Sequence, residues 1–304
     1  MTSPNISVVV AAWSGEKALA RCLESLSHHS ENAEIIVATN LAAGTVREIE
    51  THYPHAEFIF AASDATVFNL RALGADKARA RLIALIEDHV TVSRSWMETL
   101  LAAHAGGTPV IGGPIANGLS QRAYDRALYL AEYGIYMPPV SCGPSEILSG
   151  VNVAYDRALL EQYREIWKDA FYETDVHAAL RGAGYSLQLE PDALVRSHLE
   201  MTPRRAMIHL FQGGKHFGLF RRSQSAAVAR AFWLLVSPAI PFLLLLRIMR
   251  QVARKEPTAL PQLLVSLPFL LLLLGSWGAG EAAGYLEKAP TSDRSHNASY
   301  ANRH

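Results

Sequence analysis

The front two thirds of the chain alternates between two hydrophobic periods. A β-branched run, "ISVVVAAW" at residues 6–13, gives way to "EKALARCLESLSHH", where Leu19, Cys22, Leu23 and Leu26 recur at helical spacing on one face. "AEIIVATN" (33–40) repeats the strand pattern, "AGTVREIETHY" the helical one, and "AEFIFAAS" the strand pattern again. Residues 69–80, rich in Arg and Ala, read as a helix feeding a further strand, "RLIALIED". This alternation predicts an α/β fold, a mostly parallel sheet with helices on both faces. Ligands in such sheets bind beyond the carboxyl ends of the strands.

The "RLIALIED" run ends on three adjacent titratable residues, Glu87, Asp88 and His89. Carboxylates beside an imidazole at a strand end suit a divalent cation that keeps positions open for substrate phosphates. The alternative is a polar loop ahead of the next helix, because "SWME" (95–98) has the Ser-x-x-Glu form of a capping box. After the first strand "AAWSGEK" holds a single glycine, so a dinucleotide-binding dehydrogenase is disfavoured, and no P-loop appears.

Toward the other end the pattern becomes continuous. "AFWLLVSPAIPFLLLL" (231–246) is 16 residues with two prolines, and residues 258–279 carry no charge. The second stretch is long enough to cross a membrane. The first is shorter than the roughly 20 residues a spanning helix needs, which leaves a kinked span or an in-plane segment. A pair of buried core helices is disfavoured, since "SLPFLLLLLGSW" has no polar face. The expected organisation is an α/β domain over 1–225, membrane-associated helices over 226–286 and a disordered polar tail over 287–304.

Charge and cysteine content sharpen this picture. The formal net charge is zero, which argues against nucleic acid as a partner. The balance is uneven, however: residues 201–255 hold ten Lys or Arg and no Asp or Glu, while residues 1–199 hold 15 basic and 23 acidic side chains. Four of the basic residues, Arg247, Arg250, Arg254 and Lys255, separate the two apolar stretches, a placement that favours the cytoplasmic side. Two cysteines, Cys22 and Cys142, read as reduced thiols, and the N-terminus lacks the pattern of a signal peptide. The expected location is the inner cell membrane with the α/β domain in the cytoplasm.

Taken in order, "ISVVVAAWSGEKALARCLESL", "EIIVATN", "NLRALGADKARARLIALIEDH" with "SRSWMETLL", "LSGVNVAYDRALL", "FYETDVHAALRGAGYSLQLEPDALVRSH" and "FQGGKHFGLFRRS" resemble the family 2 glycosyltransferases of GT-A fold. The resemblance spans residues 5–225. It implies a Rossmann-like GT-A domain followed by C-terminal membrane helices. The implied activity is an inverting transfer of sugar from a nucleotide-diphosphate sugar to a lipid-linked or saccharide acceptor. Donor contacts fall on Ala11, Ala12 and Trp13, on Asn40, on Arg71 and Asp88, and on Gly150 and Asn152 of "SGVN". After the second strand the family usually has an acidic residue, where this chain has Thr39 and Asn40.

"EDH" stands where the family carries its metal-binding Asp-x-Asp, so the resemblance implies Mg²⁺ or Mn²⁺ at Glu87, Asp88, His89 and His198, with His89 in place of an aspartate. "ETD", opening a helix, matches the acidic motif that carries the catalytic base: Asp175, with Glu173 as its rival. The helix dipole would lower the Asp175 pKa, and the apolar neighbours Phe171, Tyr172 and Val176 would oppose that. Gln212 and Lys215 would face an anionic acceptor or donor phosphate. The loops "GGP" (112–114) and "SGVN" (149–152) are expected to let a sugar approach the backbone. Two other readings stay open, a sugar-phosphate nucleotidylyltransferase and a catalytically silent membrane scaffold.

Overall fold

The structure, a computed structural model, describes residues 4–29, 33–119, 122–223 and 227–287. The expected polar tail from residue 288 onward and the expected boundary at 225 lie outside the described residues. The chain segregates into two compact units, one of Met1–Met201 with Ile248–Leu267, the other of Thr202–Arg247 with Pro268–His304.

In the first unit the described strands form two sheets. The larger runs in the order β3 (Ala56–Phe60), β2 (Ala33–Thr39), β1 (Ile6–Ala12), β4 (Leu82–Glu87), β9 (Asn152–Asp156), β6 (Val110–Gly112), β10 (Leu187–Leu189), β8 (Gly143–Ser145). Strands β3, β2, β1 and β4 are mutually parallel, and β9 enters antiparallel between β4 and β6. Every residue of β1 and β4 is buried. Their unbroken apolar runs are what a strand covered on both faces requires. The ends of β1, β4 and β6 and the start of β9 share one edge, because Ile86 pairs with Asn152 and Gly112 with Val153. The smaller sheet, β5 (Val90–Val92), β11 (Val195–Ser197) and β7 (Ile115–Asn117), continues from that edge.

Helices α1 (Glu16–Leu26), α2 (Ala43–His52) and α3 (Val67–Lys77) connect the first four strands. The buried face of α1 is Leu19, Cys22, Leu23 and Leu26, the four positions the spacing selects. Helix α3 starts with a capping box in which Thr66 and Asn69 satisfy each other's backbone amides. It lies hard against β1: a Cβ on Gly74 would stand 2.2 Å from Val9 Cγ1. The Ser-x-x-Glu box at Ser95 does not form, since Ser95 makes no side-chain cap. There α4 (Trp96–Ala105) is followed by α5 (Ala123–Tyr133), short α6 (Arg157–Gln162) and α7 (Arg164–Trp167), and α8 (Glu173–Gly182).

The remaining helices are α9 (Pro203–Ser223), α10 (Ala227–Val236), α11 (Ile240–Lys255) and α12 (Leu260–Leu286). Within the second unit α9 and the latter part of α12 meet through glycines. A Cβ on Gly218 would fall 2.3 Å from the Glu281 carbonyl, and one on Gly284 would fall 2.3 Å from that of Lys215. Two stretches, Phe232–Lys255 and Pro257–Leu286, are long and apolar enough to cross a membrane. Their large side chains are mostly not in a core, Leu235 being 80 % and Val265 67 % exposed.

Candidate functional site

Strand β4 delivers Glu87 to the shared edge, and the chain turns there through Asp88 and His89. All three side chains are buried. Asp88 Oδ2 accepts from the backbone N–H groups of Trp13 (3.0 Å) and Ser14 (2.7 Å), so the loop after β1 wraps this carboxylate. Its Oδ1 is buried with no hydrogen-bond partner among the described residues. Burial pushes the Asp88 pKa up to about 7, against the pull of the Ser14 and Trp13 hydrogen bonds and with further help from the Glu87 charge.

Glu87 has no such spare oxygen. Its Oε2 accepts from the Trp13 indole N–H at 2.7 Å, and its Oε1 pairs with the Arg71 guanidinium. Burial alone would raise the Glu87 pKa, but Arg71, His89 and the indole outweigh it and hold the carboxyl below its usual range. Arg71 also pairs with Glu173 at 2.8 Å. It lies 5.5 Å from the Phe68 ring centroid, and Phe68 stacks on Tyr172 at 4.0 Å. One guanidinium therefore joins the end of β4 to the start of α8. Gly150 makes this possible: a Cβ there would stand 2.4 Å from Arg71 Nη1.

At the start of α8 Asp175 is raised to about 6, first by burial and then by the Glu173 charge. Behind it His177 is buried and bonded to Tyr155 Oη at 2.8 Å. Burial lowers the His177 pKa to about 4, so the ring stays neutral.

The remaining sequence-selected residues take varied places. Ala11 and Ala12 are buried at the end of β1, and Ala11 accepts from the Asp88 N–H at 3.1 Å. Thr39 Oγ1 donates to the Ala12 carbonyl at 2.9 Å, and the Asn40 amide donates to Ala65 at 2.9 Å. Asn152 is buried with its oxygen on the Trp96 indole (2.9 Å) and its amide on Ala193 (2.8 Å) and Pro114 (3.2 Å), knotting three loops behind the edge. The glycines of "GGP" meet protein atoms: a Cβ on Gly113 would stand 1.8 Å from the Ala193 carbonyl. Those loops are lean because protein, rather than an open channel, packs on them.

His89 Nε2 meets Tyr133 Oη at 2.8 Å, and Trp13 stands edge-on to the same ring. His198 bonds its backbone N–H to the His89 carbonyl at 2.7 Å, while its ring meets Thr91 at 3.1 Å and lies over Gly118. The neighbourhood of Glu87, Asp88, His89 and His198 is thus real, yet among the described residues no three metal-binding side chains converge. What fits a divalent cation is the Asp88 carboxylate oxygen that accepts no hydrogen bond, Oδ1, which has His89 Nδ1 at 3.9 Å. A hard cation that takes one protein oxygen fills its other positions with substrate phosphate and water. Gln212 and Lys215 belong to the second unit, on α9, where Lys215 pairs with Glu287 at 2.9 Å.

Sequence reading missed Tyr133 and Tyr155. Tyr133 is 44 residues from the histidine it holds, and no spacing signals that contact. Arg71 was selected, but as a donor contact rather than as the bridge between Glu87 and Glu173.

Among curated proteins none matches the chain. The sequence profile described as glycosyl transferase family 2 matches residues 7–164. Among solved structures the chain is similar to "Mannosyltransferase PcManGT from Pyrobaculum calidifontis in complex with GDP-Man and Mn2+", with a TM-score of 0.52 and 12% identity, covering 94% of this chain and 75% of that one. The likeness shows a GT-A fold.

Proposed function

Since the chain belongs to glycosyl transferase family 2, a glycosyltransferase, we propose that it takes a sugar from a nucleotide-diphosphate donor and passes it, with inversion, to a lipid-linked or saccharide acceptor at the cytoplasmic face of the inner membrane. The observation that carries this reading is the ionic bridge Glu87–Arg71–Glu173, which couples the diphosphate edge of the sheet to the carboxylates that open α8. The membrane assignment rests on the exposed apolar stretches, and the cytoplasmic one on two free cysteines.

Asp175 is the base. Its raised pKa, about 6, leaves it ionised at neutral pH and more basic than an ordinary aspartate. It takes the proton of the acceptor hydroxyl as that oxygen bonds to the anomeric carbon. The bond from that carbon to the donor diphosphate breaks, and the nucleoside diphosphate leaves. A single displacement inverts the anomeric centre. Glu173 is held by Arg71 and serves to keep α8 against the sheet. The residue fitted to Mg²⁺ or Mn²⁺ is Asp88, through Oδ1, and a cation there would offset charge developing on the leaving diphosphate.

Transfer is to be measured with a panel of UDP- and GDP-sugars, GDP-mannose first, with and without Mn²⁺. Sugar transfer from one donor, enhanced by the metal, supports the reading. Absence of transfer and of donor hydrolysis with every member would favour the silent scaffold. Asp88→Ala is expected to weaken donor binding only when metal is present; unchanged metal-dependent affinity would remove Asp88 from this role.

A further inference from the structure

A cavity of about 480 Å³ lies within the first unit, lined along α5 by Arg126 and Tyr129. Its lining includes Arg126, Arg196 and Lys255, three cationic side chains, and Glu256 as the one carboxylate. Arg126 is 5 % exposed. One arm of its guanidinium reaches Glu256 at 3.0 Å, and its Nε is buried with no partner among the described residues. A buried guanidinium holding an unused N–H is costly unless an acceptor comes to it. Glu256 is half exposed and satisfies only part of that donor set.

The rest of the lining has a different character. Met137, Pro138 and Pro139 form an apolar rim, and Lys255 donates to the Met137 carbonyl. Lys255 is also the last residue of the apolar stretch Phe232–Lys255, so a chain crossing or lying in a membrane would bring this cation to the lipid–water boundary. Planar guanidinium groups and an ammonium around an open cavity match the geometry of phosphate oxygens. An apolar rim suits the start of a hydrocarbon chain.

We propose that this cavity binds the phosphate group of an anionic amphiphile, with Arg126, Arg196 and Lys255 as its donors. Glu256 holds Arg126 in place and competes with the phosphate for it. The site is distinct from the Asp88 edge. Glu87 and Asp88 bond to Trp13, Ser14 and Arg71, and none of these residues lines the cavity. Binding at the cavity does not depend on sugar transfer, so failure of either reading leaves the other standing.

The test uses the full chain in neutral detergent or in phosphatidylcholine nanodiscs. Three probes are titrated: inorganic phosphate, pyrophosphate, and phosphatidic acid incorporated in the nanodisc. The Arg196→Gln/Lys255→Gln double variant is expected to lose at least about tenfold in affinity for the probe that binds. Glu256→Gln is expected to bind several-fold more tightly, because Arg126 is released, and this opposite sign survives if Arg126→Gln fails to fold. Retention of phosphatidic acid with little response to inorganic phosphate identifies a lipid headgroup. Saturable binding of inorganic phosphate or pyrophosphate without retention of phosphatidic acid identifies a free anion and overturns the amphiphile. The proposal is overturned if no probe binds, if Glu256→Gln is without effect, or if Arg204→Gln/Arg205→Gln, which removes equal charge outside the cavity, weakens binding as much.

Discussion

Arg71 and Arg221 each pair with a buried glutamate, and the contrast between their surroundings separates the chemistry of this protein from its assembly. Arg71 is shared between two carboxylates, Glu87 and Glu173, and its neighbours are an indole N–H, a buried aspartate and the start of a helix. Arg221, in the second unit, pairs among the described residues with one carboxylate, Glu281, at 3.2 Å, which also accepts from Tyr285 Oη at 2.7 Å. Its guanidinium lies over the rings of Phe217 and Trp233, at 4.6 and 4.4 Å. A charge with more than one ionic partner couples elements that have different tasks. A charge with one carboxylate and two aromatic faces fastens helices together, here α9 to α10 and to α12, where glycines already let α9 and α12 approach.

The sharpest way to break this contrast is to remove each arginine in turn. Arg71→Met leaves Glu87 and Glu173 without their cation, and the expected loss of stability is about 3–5 kcal/mol, read from denaturant unfolding of the full chain in detergent. Sugar transfer should disappear with it. Next in size, Asp175→Asn keeps fold and donor binding but slows transfer at least about 100-fold, equivalent to about 2.7 kcal/mol in the barrier. Glu173→Gln should cost less; the reverse order would move the base to Glu173.

Arg221→Met leaves Glu281 with its tyrosine, so the expected cost is smaller, about 1–3 kcal/mol, with donor affinity unchanged. Equal destabilisation by the two arginine variants would erase the distinction drawn between them. The finest probe is pH. A base must be ionised to accept a proton, and the protonated fraction of Asp175 grows as pH falls through its raised pKa of about 6. With Mn²⁺ saturating, so that Asp88 stays ionised, transfer should therefore be level above that pH and fall about tenfold per unit well below it. Because burial is the larger cause and the Glu173 charge the second, Glu173→Gln should move the acid limb modestly to lower pH. A profile flat to pH 4.5, roughly one and a half units below that limb, would exclude Asp175 as the titrating group.

The parts legible in the sequence are those whose signal is local. The four buried positions of α1 follow from their spacing, the strands β1 and β4 from short, mostly apolar runs rich in Val, Ile and Leu, and the strand-end triplet from an abrupt change of polarity. The apolar stretches near the C-terminus announce themselves by length, although the first continues to Lys255 as a regular run of helix rather than ending at residue 246. The lean loops were legible as lean, but not their reason, because what fills the space beside Gly150 and Gly113 comes from Arg71 and Ala193.

By itself the sequence determined the alternation of strands and helices, the carboxylates placed at a strand end, the acidic opening of α8 and the uneven charge along the chain. These depend on residue type and period, and both are written along a single line. Only the tertiary structure decided which carboxylate keeps an oxygen to spare. Glu87 and Asp88 are neighbours of like charge, yet one is neutralised by an arginine 16 residues away that also reaches a glutamate 102 residues away, while the other takes two backbone amides more than 70 residues away and retains Oδ1. Desolvation and partner geometry set the roles of such groups, and both exist only once distant segments are packed together.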